Sequence, residues 1–324
     1  MARRSPCSSV PGPKFKVDEL DFRILREVLA GDTDSFRSDR ARVDDIARRL
    51  GVHRNTVSAR MKRLSDAHVF LPLTLEIDPG RLGMVGARVF LDVPRDRRTS
   101  ETREALFHLE GVFGILAYHD GWEIVVYGED ESSLESKVEV ARAVTCARTA
   151  SWELHTGRDY PPDEPVRLSR IDARLIAGLL RNARVSFAVL AKQLGVSRRT
   201  LERRYNRLRE MKLISMLPGS GADIQGMAMA TLSAQVPEEP RARARTIERI
   251  LTTLPNHYIR NVATRGKVHL FLYGPSLADI ESQLAELRTD PGVGKVTFRI
   301  FLGPFPNPRY RDWLARVVER SATA

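Results

Sequence analysis

Apolar positions change their spacing partway through each half of the chain. Over 17–30, 43–50 and 54–67 they fall three or four residues apart, which predicts three helices. Gly51 supplies a tight turn between the second and third, so the pattern predicts a helix-turn-helix. The run Val69-Phe70-Leu71-Pro72-Leu73-Thr74-Leu75-Glu76-Ile77 alternates and predicts a small wing. Alternating and helical stretches then follow as strand 85–93, helix 99–109, strands 112–119 and 122–128, helix 131–143 and strand 148–154. That order predicts a ferredoxin-like α/β sandwich. The succession returns as helices 168–181, 186–194 and 198–211, strand 213–217, and then 227–236, 241–254, 257–264, 267–273, 276–288 and 294–302.

The return is visible in the residues themselves. Leu20-Asp21-Phe22-Arg23-Ile24-Leu25 is echoed by Ile171-Asp172-Ala173-Arg174-Leu175-Ile176, and Ile46-Ala47-Arg48-Arg49-Leu50-Gly51-Val52 by Leu190-Ala191-Lys192-Gln193-Leu194-Gly195-Val196. Arg60-x-x-Arg63-Leu64 matches Arg204-x-x-Arg207-Leu208, and Val125-Val126-Tyr127-Gly128 matches Phe271-Leu272-Tyr273-Gly274. The chain is therefore read as one unit of about 145 residues written twice, an α+β tandem duplication. The expected domains are a basic disordered tail (1–16), a winged helix-turn-helix (17–80), a ferredoxin-like α/β domain (81–158), a Pro-rich linker (159–166), a second winged helix-turn-helix (167–223), a second α/β domain (224–306) and a C-terminal extension (307–324). Strands 122–127 and 268–273 present apolar groups on both faces, so both faces should be covered. The economical arrangement packs the two sheets together as an internal pseudo-dimer.

Composition places function on particular segments. The 324 residues include 52 Lys plus Arg against 41 Asp plus Glu, a formal charge of +11. Residues 1–16, 52–64 and 196–209 hold +4, +4 and +5, leaving the remainder at −2. Two of these three segments are the helices that a helix-turn-helix would place in a DNA groove, so a polyanionic partner is expected. Cys7 and Cys146 are far apart and unsuited to a disulfide framework or thiolate zinc site, which fits a reducing, cytoplasmic setting. No run of 18 apolar residues and no signal-like N-terminus is found.

In the third helix of each unit an apolar stripe (Val57, Met61, Leu64; Leu201, Tyr205, Leu208) turns other residues outward. Arg54, Asn55, Thr56, Ser58 and Lys62, with Arg198, Arg199, Thr200, Arg203 and Asn206, are the candidates for contact with double-stranded DNA. Arg and Asn match guanine and adenine edges, whereas Ser, Thr and Lys suit phosphates or mixed contacts. Ser197 is expected to cap the second of these helices, while His53 is a poor cap and leaves Asn55 or Thr56 to serve the first.

The repeated unit resembles the Lrp/AsnC (feast/famine) family of transcription regulators. The resemblance rests on Leu20-Asp21-x-x-Ile24-Leu25, the Ile46–Val52 turn, Arg60-Met61-Lys62-Arg63-Leu64 and Ile77-Asp78-Pro79-Gly80-Arg81-Leu82-Gly83. It implies a DNA-binding winged helix-turn-helix and a RAM-like α/β domain that dimerises and can bind amino acids or similar effectors. Here the homodimer would be replaced by a covalent one reading an imperfect palindrome. The family's effector turn is represented by His119, Asp120 and Gly121 in one copy and by Arg265 and Gly266 in the other, although Asp120-Gly121 also suits an ordinary hairpin. The first unit also inserts Gly31 to Arg40 between its first two helices.

An enzymatic alternative exists, because siroheme decarboxylases are similar to this family. Asn256-His257-Tyr258-Ile259-Arg260 loosely resembles their polar cluster, but 267–271 reads Lys-Val-His-Leu-Phe where they have Tyr-Asn-x-Trp-Phe. Non-specific architectural DNA binding is a further alternative. Gly292-Val293-Gly294-Lys295-Val296 lacks a phosphate loop's spacing, Gly219-Ser220-Gly221 lacks a dinucleotide fingerprint, and the seven histidines form no His-Glu-x-x-His. The expectation is a regulator that is not an enzyme and needs no metal or cofactor. The stripe Tyr310, Trp313, Leu314 and Val317 leaves the extension to cap the second domain or to join chains.

Overall fold

The computed structural model describes residues 17–29, 39–66, 70–155, 165–183, 185–220, 228–254, 257–261 and 266–323. The first unit comprises α1 (Glu19–Leu29), α2 (Asp39–Leu50), α3 (Arg54–Asp66), β1 (Phe70–Ile77), β2 (Val85–Leu91), α4 (Ser100–Phe107), β3 (Val112–Tyr118), β4 (Gly121–Gly128), α5 (Glu131–Thr145) and β5 (Ala150–His155). The second repeats the order as α6 (Arg170–Arg181), α7 (Phe187–Leu194), α8 (Arg198–Glu210), β6 (Ile214–Ser220), β7 (Ala228–Gln235), α9 (Pro240–Thr253), β8 (His257–Asn261), β9 (Lys267–Gly274), α10 (Leu277–Arg288) and β10 (Val296–Pro306), and α11 (Tyr310–Thr323) follows. The tail and most of the linker lie outside the described residues, as does the insertion up to Ser38. Helix α2 takes in Asp39 and Arg40, four residues ahead of the start that the apolar spacing predicts.

Each α/β domain has the strand order of a ferredoxin-like fold, β5-β2-β4-β3 and β10-β7-β9-β8. The two sets join through β10 and β3 into one eight-stranded antiparallel sheet. β10 runs four residues beyond the expected end because it changes partners. Its first half, Val296–Ile300, pairs with β7, and after an irregularity between Phe301 and Gly303 the second half pairs with β3. One extra residue in a strand bends it and increases its twist, which redirects the chain onto the other unit.

Alternation along the strands sorts the two faces. Ala87, Val89, Leu91, Trp122, Ile124 and Val126 pack under α4 and α5, and Ala230, Leu232, Val268, Leu270 and Leu272 pack under α9 and α10. On the opposite face Glu153 of β5 meets Lys267 and His269 of β9, which are first and seventh in the strand order. The sheet therefore curls until its two halves face each other, and the expected covering of both faces is achieved. This inter-unit layer is polar. The Arg88 guanidinium pairs with Glu123 at 2.6 Å, and both are almost fully buried. Arg299 bonds Asp120 through two nitrogens at 2.8–3.1 Å, lies over the Tyr118 ring at 4.0 Å and approaches Glu123 at 3.6 Å. Tyr118 and Thr231 share a hydroxyl hydrogen bond of 2.9 Å across the same boundary.

These pairs give the fold an acid-sensitive seam. The His269 imidazole 3.6 Å away, together with the bonded Lys267 ammonium, lowers the Glu153 carboxyl to about 2 from an ordinary 4.5. Burial pushes His269 below 6.5 despite that carboxylate. Because the unfolded chain takes up protons on both groups before the folded one does, each contributes stability that is lost on acidification. Thermal stability is expected to fall below the ordinary His value and again between pH 4.5 and about 2. In Glu153→Gln the second decline, followed as melting temperature against pH, should flatten.

The strand predicted as a wing behaves differently. β1 pairs antiparallel with its counterpart β6, Phe70 opposite Ser220 and Ile77 opposite Ile214, in a separate two-stranded ribbon. A single alternating strand leaves an unpaired edge, and the second copy offers a matching one. The helical heads also cross over. α1–α3 pack with Phe271 and Tyr273 of the second unit, where Phe22 meets Tyr273 at 5.1 Å between ring centroids. α6–α8 share their core with Tyr127 of the first unit and with α11. The C-terminal extension thus neither caps the second α/β domain nor reaches outward along its apolar stripe. Tyr310, Trp313, Leu314 and Val317 are all buried between α6 and the first unit, with Trp313 stacked on Tyr127.

Candidate nucleic-acid interface

The second head is fixed at both ends of its helices. Ser169 and Asp172 form a reciprocal cap on α6, and Ser197 caps α8 by accepting from the Thr200 amide at 3.0 Å. Gly195, at φ 69°, provides the left-handed turn between α7 and α8, and Gly51 does the same at φ 66° in the first head. Arg204 ties α8 to the start of α6 through Asp172 at 3.0 Å and Ser169 at 2.8 Å. Asp21, fully buried, receives Arg60 and Arg63 in the same way in the first head. The Asp that recurs in both copies is thus a clamp on the third helix, and Arg60 and Arg204 belong to the scaffold.

This separates the basic residues into two groups. In α8, Leu201, Tyr205 and Leu208 are buried, which turns Arg199, Arg203, Asn206 and Arg207 to the exposed side. Among the described residues none of these three arginines has an ion-pair partner, so their charge is available. Arg198 is also exposed but pairs with Glu202 at 2.7 Å, and the Thr200 hydroxyl is held by Ser197 at 2.9 Å. In α3, Asn55, Thr56, Ser58 and Lys62 are exposed, while Arg54 is half-buried and pairs with Asp44 at 3.1 Å. His53, expected to be a poor cap, accepts from the Asn55 amide through Nδ1 at 3.2 Å, which requires that nitrogen to be unprotonated.

The two heads therefore present unequal surfaces at matching positions. Arg199, Arg203 and Asn206 of α8 stand where α3 has Asn55, Ala59 and Lys62. Arg207, which the sequence reading did not single out, extends the α8 stripe; its position one helical turn beyond Arg203 was the available signal.

The effector candidates are distributed differently. Asp120 is engaged by Arg299, which with His119 holds its carboxyl below the usual range against the opposing effect of burial. His119 is exposed, and its amide donates to the Ile300 carbonyl at 3.2 Å. A Cβ on Gly121 would stand 2.4 Å from the Leu91 carbonyl oxygen, so close strand packing accounts for that glycine. Gly266 has φ +83° at the matching turn, and Arg265 lies outside the described residues. Among the described residues no group of three or more His, Cys, Asp or Glu is placed to hold a metal ion, and no helix is long and apolar enough to cross a membrane.

An AsnC-type helix-turn-helix domain model matches residues 168–209, the span from the cap of α6 to the end of α8. Among solved structures, the siroheme decarboxylase NirDL aligns over 94% of this chain and 98% of its own, with 13% identity and a TM-score of 0.54. Its co-complex with an iron-uroporphyrin III analogue aligns over 93% and 99%, with 12% identity and a TM-score of 0.51. E. coli AsnC aligns over 42% of this chain and 92% of its own, with 18% identity and a TM-score of 0.31. No curated protein sequence matches the chain significantly. The expectation that the chain is not an enzyme is overturned, because the scaffold it shares from end to end is one that an enzyme uses. The chain contains an AsnC-type helix-turn-helix domain, set on a two-unit α/β fold similar to that of NirDL.

Proposed function

We propose that the chain is a DNA-binding transcription regulator of the Lrp/AsnC kind, with α8 as its principal recognition helix and α3 as a weaker second one. The observation that carries this reading is the outward stripe of Arg199, Arg203, Asn206 and Arg207 on the third helix of a matched AsnC-type domain. Its arginines are not consumed by ion pairs among the described residues. The phosphate backbone supplies most of the affinity, and Arg or Asn on a helix face reads base edges in the major groove. Because α3 offers Asn55 and Lys62 in place of two of those groups, the preferred site is an imperfect palindrome. A small effector such as an amino acid at the turn near Asp120 would have to displace Arg299. Titration of a labelled duplex with the full chain at rising salt tests the reading: a steep loss of affinity with salt supports it, and absence of binding at about 0.1 M salt refutes it.

A second reading, a siroheme-decarboxylase-like activity, is favoured by the end-to-end fold likeness to NirDL. Of the cluster that suggested it, Asn256 lies outside the described residues and His257–Asn261 forms strand β8. Absorbance titration with an iron-uroporphyrin III analogue distinguishes it, since a bound tetrapyrrole shifts the visible spectrum.

A further inference from the structure

The inner faces of the two α/β domains carry different charges at matching positions, opposite at Glu153 and Arg299, and we propose that each is built to accept the other half and to reject a copy of itself. The strand registers define the matches. Glu153 lies opposite Arg88 on the outer strand of the first unit, and Arg299 lies opposite Thr231 in the same place in the second. Glu123 lies opposite Phe90, and its counterpart His269 lies opposite Ser233. Continuing along the same strands, Gly121 matches Lys267 and Asp120 matches Gly266.

Each outer-strand residue reaches across the seam into an environment that only the other unit provides. Arg299 finds Asp120 at 2.8 Å and Glu123 at 3.6 Å between the rings of Tyr118 and Phe90. Glu153 finds Lys267 and, at 3.6 Å, His269. If two first units met, Glu153 would face a second Glu123, now without Lys267. If two second units met, Arg299 would face Lys267 with neither carboxylate present. Like charges brought together in a desolvated interface strongly disfavour the wrong partner, and an ion left without its counter-charge adds to the penalty. The outcome is a fixed polarity, one head of each kind in every pair. This inference rests on the seam alone and is independent of what the heads bind.

Two measurements test it, one on the chain cut between its units and one on the intact chain. In the first, a protease site is placed in 159–164, the folded chain is cut, unfolded in urea and refolded, and native mass spectrometry counts the pairs. Mixed pairs in at least about tenfold excess over self-pairs are expected; mixed and self-pairs in statistical proportion overturn the proposal. In the second, Glu153→Lys, Lys267→Glu and the double variant are compared in the intact chain. Each single substitution should lower the melting temperature, and the double should recover at least half of the combined loss. Losses that simply add would overturn the proposal, and this comparison decides alone if the cut chain does not refold.

Discussion

Arg199→Ala combined with Arg203→Ala is expected to weaken binding of a duplex at least thirtyfold at moderate salt, taking about 1 to 3 kcal/mol for each lost contact. The logarithmic salt slope should flatten by about 2 if both arginines meet phosphates. Folding should be unaffected, because both side chains are exposed and unpaired among the described residues. Two comparisons give the prediction its specificity. Arg198→Ala, on the same helix, should have a smaller effect, because Glu202 already neutralises Arg198 at 2.7 Å. Lys62→Ala on α3 should weaken binding only severalfold, since it removes one contact from the less basic head. Circular dichroism of each variant checks the fold, and fluorescence anisotropy at several salt concentrations checks the rest. Equal losses for Arg198→Ala and for the double variant would mean that the outward stripe has been misassigned.

Trp313→Ala is expected to cost the structure about 3 kcal/mol or more, as for other large buried aromatic side chains. Trp313 is 5% exposed and stacks on Tyr127 at 6.2 Å between centroids, and Tyr310 closes a three-ring cluster at 5.4 Å from Trp313 and 6.3 Å from Tyr127. Helix α11 is the wedge through which the second head meets the first unit, sharing one core with α6–α8 and Tyr127. The damage should therefore be local. Hydrogen exchange should accelerate in α6 and α11 while α1–α3, which dock through Phe22 and Tyr273, remain protected. Uniform acceleration across both heads would show that the heads are not held independently.

Much of the architecture was legible because its causes are local. The three- and four-residue spacing of Val57, Met61 and Leu64 defines a helix and its buried face, and alternation over 122–127 and 268–273 defines strands covered on both sides. The two copies of Leu-Gly-Val mark the turns. Nothing local says which edge a strand will find. The run 69–77 alternates equally well as half of a wing or as a strand paired with its copy, so only the structure reveals the ribbon with β6. Likewise the stripe of Tyr310, Trp313, Leu314 and Val317 announces an amphipathic helix without naming the surface that receives it.

The candidate interface was legible in the same partial way. The apolar stripe of α8 correctly turned Arg199, Arg203 and Asn206 outward. The charge sum could not separate them from Arg60, Arg63 and Arg204, whose partners Asp21 and Asp172 lie more than thirty residues away in the chain. Asp120 read as part of a possible effector turn because its counter-ion, Arg299, is 179 residues distant. In each case the missing information was a long-range pairing of charges, to which periodicity is blind.

The most direct test of two unequal DNA-binding heads on one chain is selection of binding sites by the full-length protein from a pool of random duplexes, followed by sequencing. The predicted result is an enriched site of two related but non-identical half-sites, spaced by a whole number of helical turns of about 10 to 10.5 base pairs. The half-site read by α8 should be the better defined, and Arg199→Ala with Arg203→Ala should erase it first. A pool that emerges with no enriched sequence, or with two identical half-sites, would contradict the account.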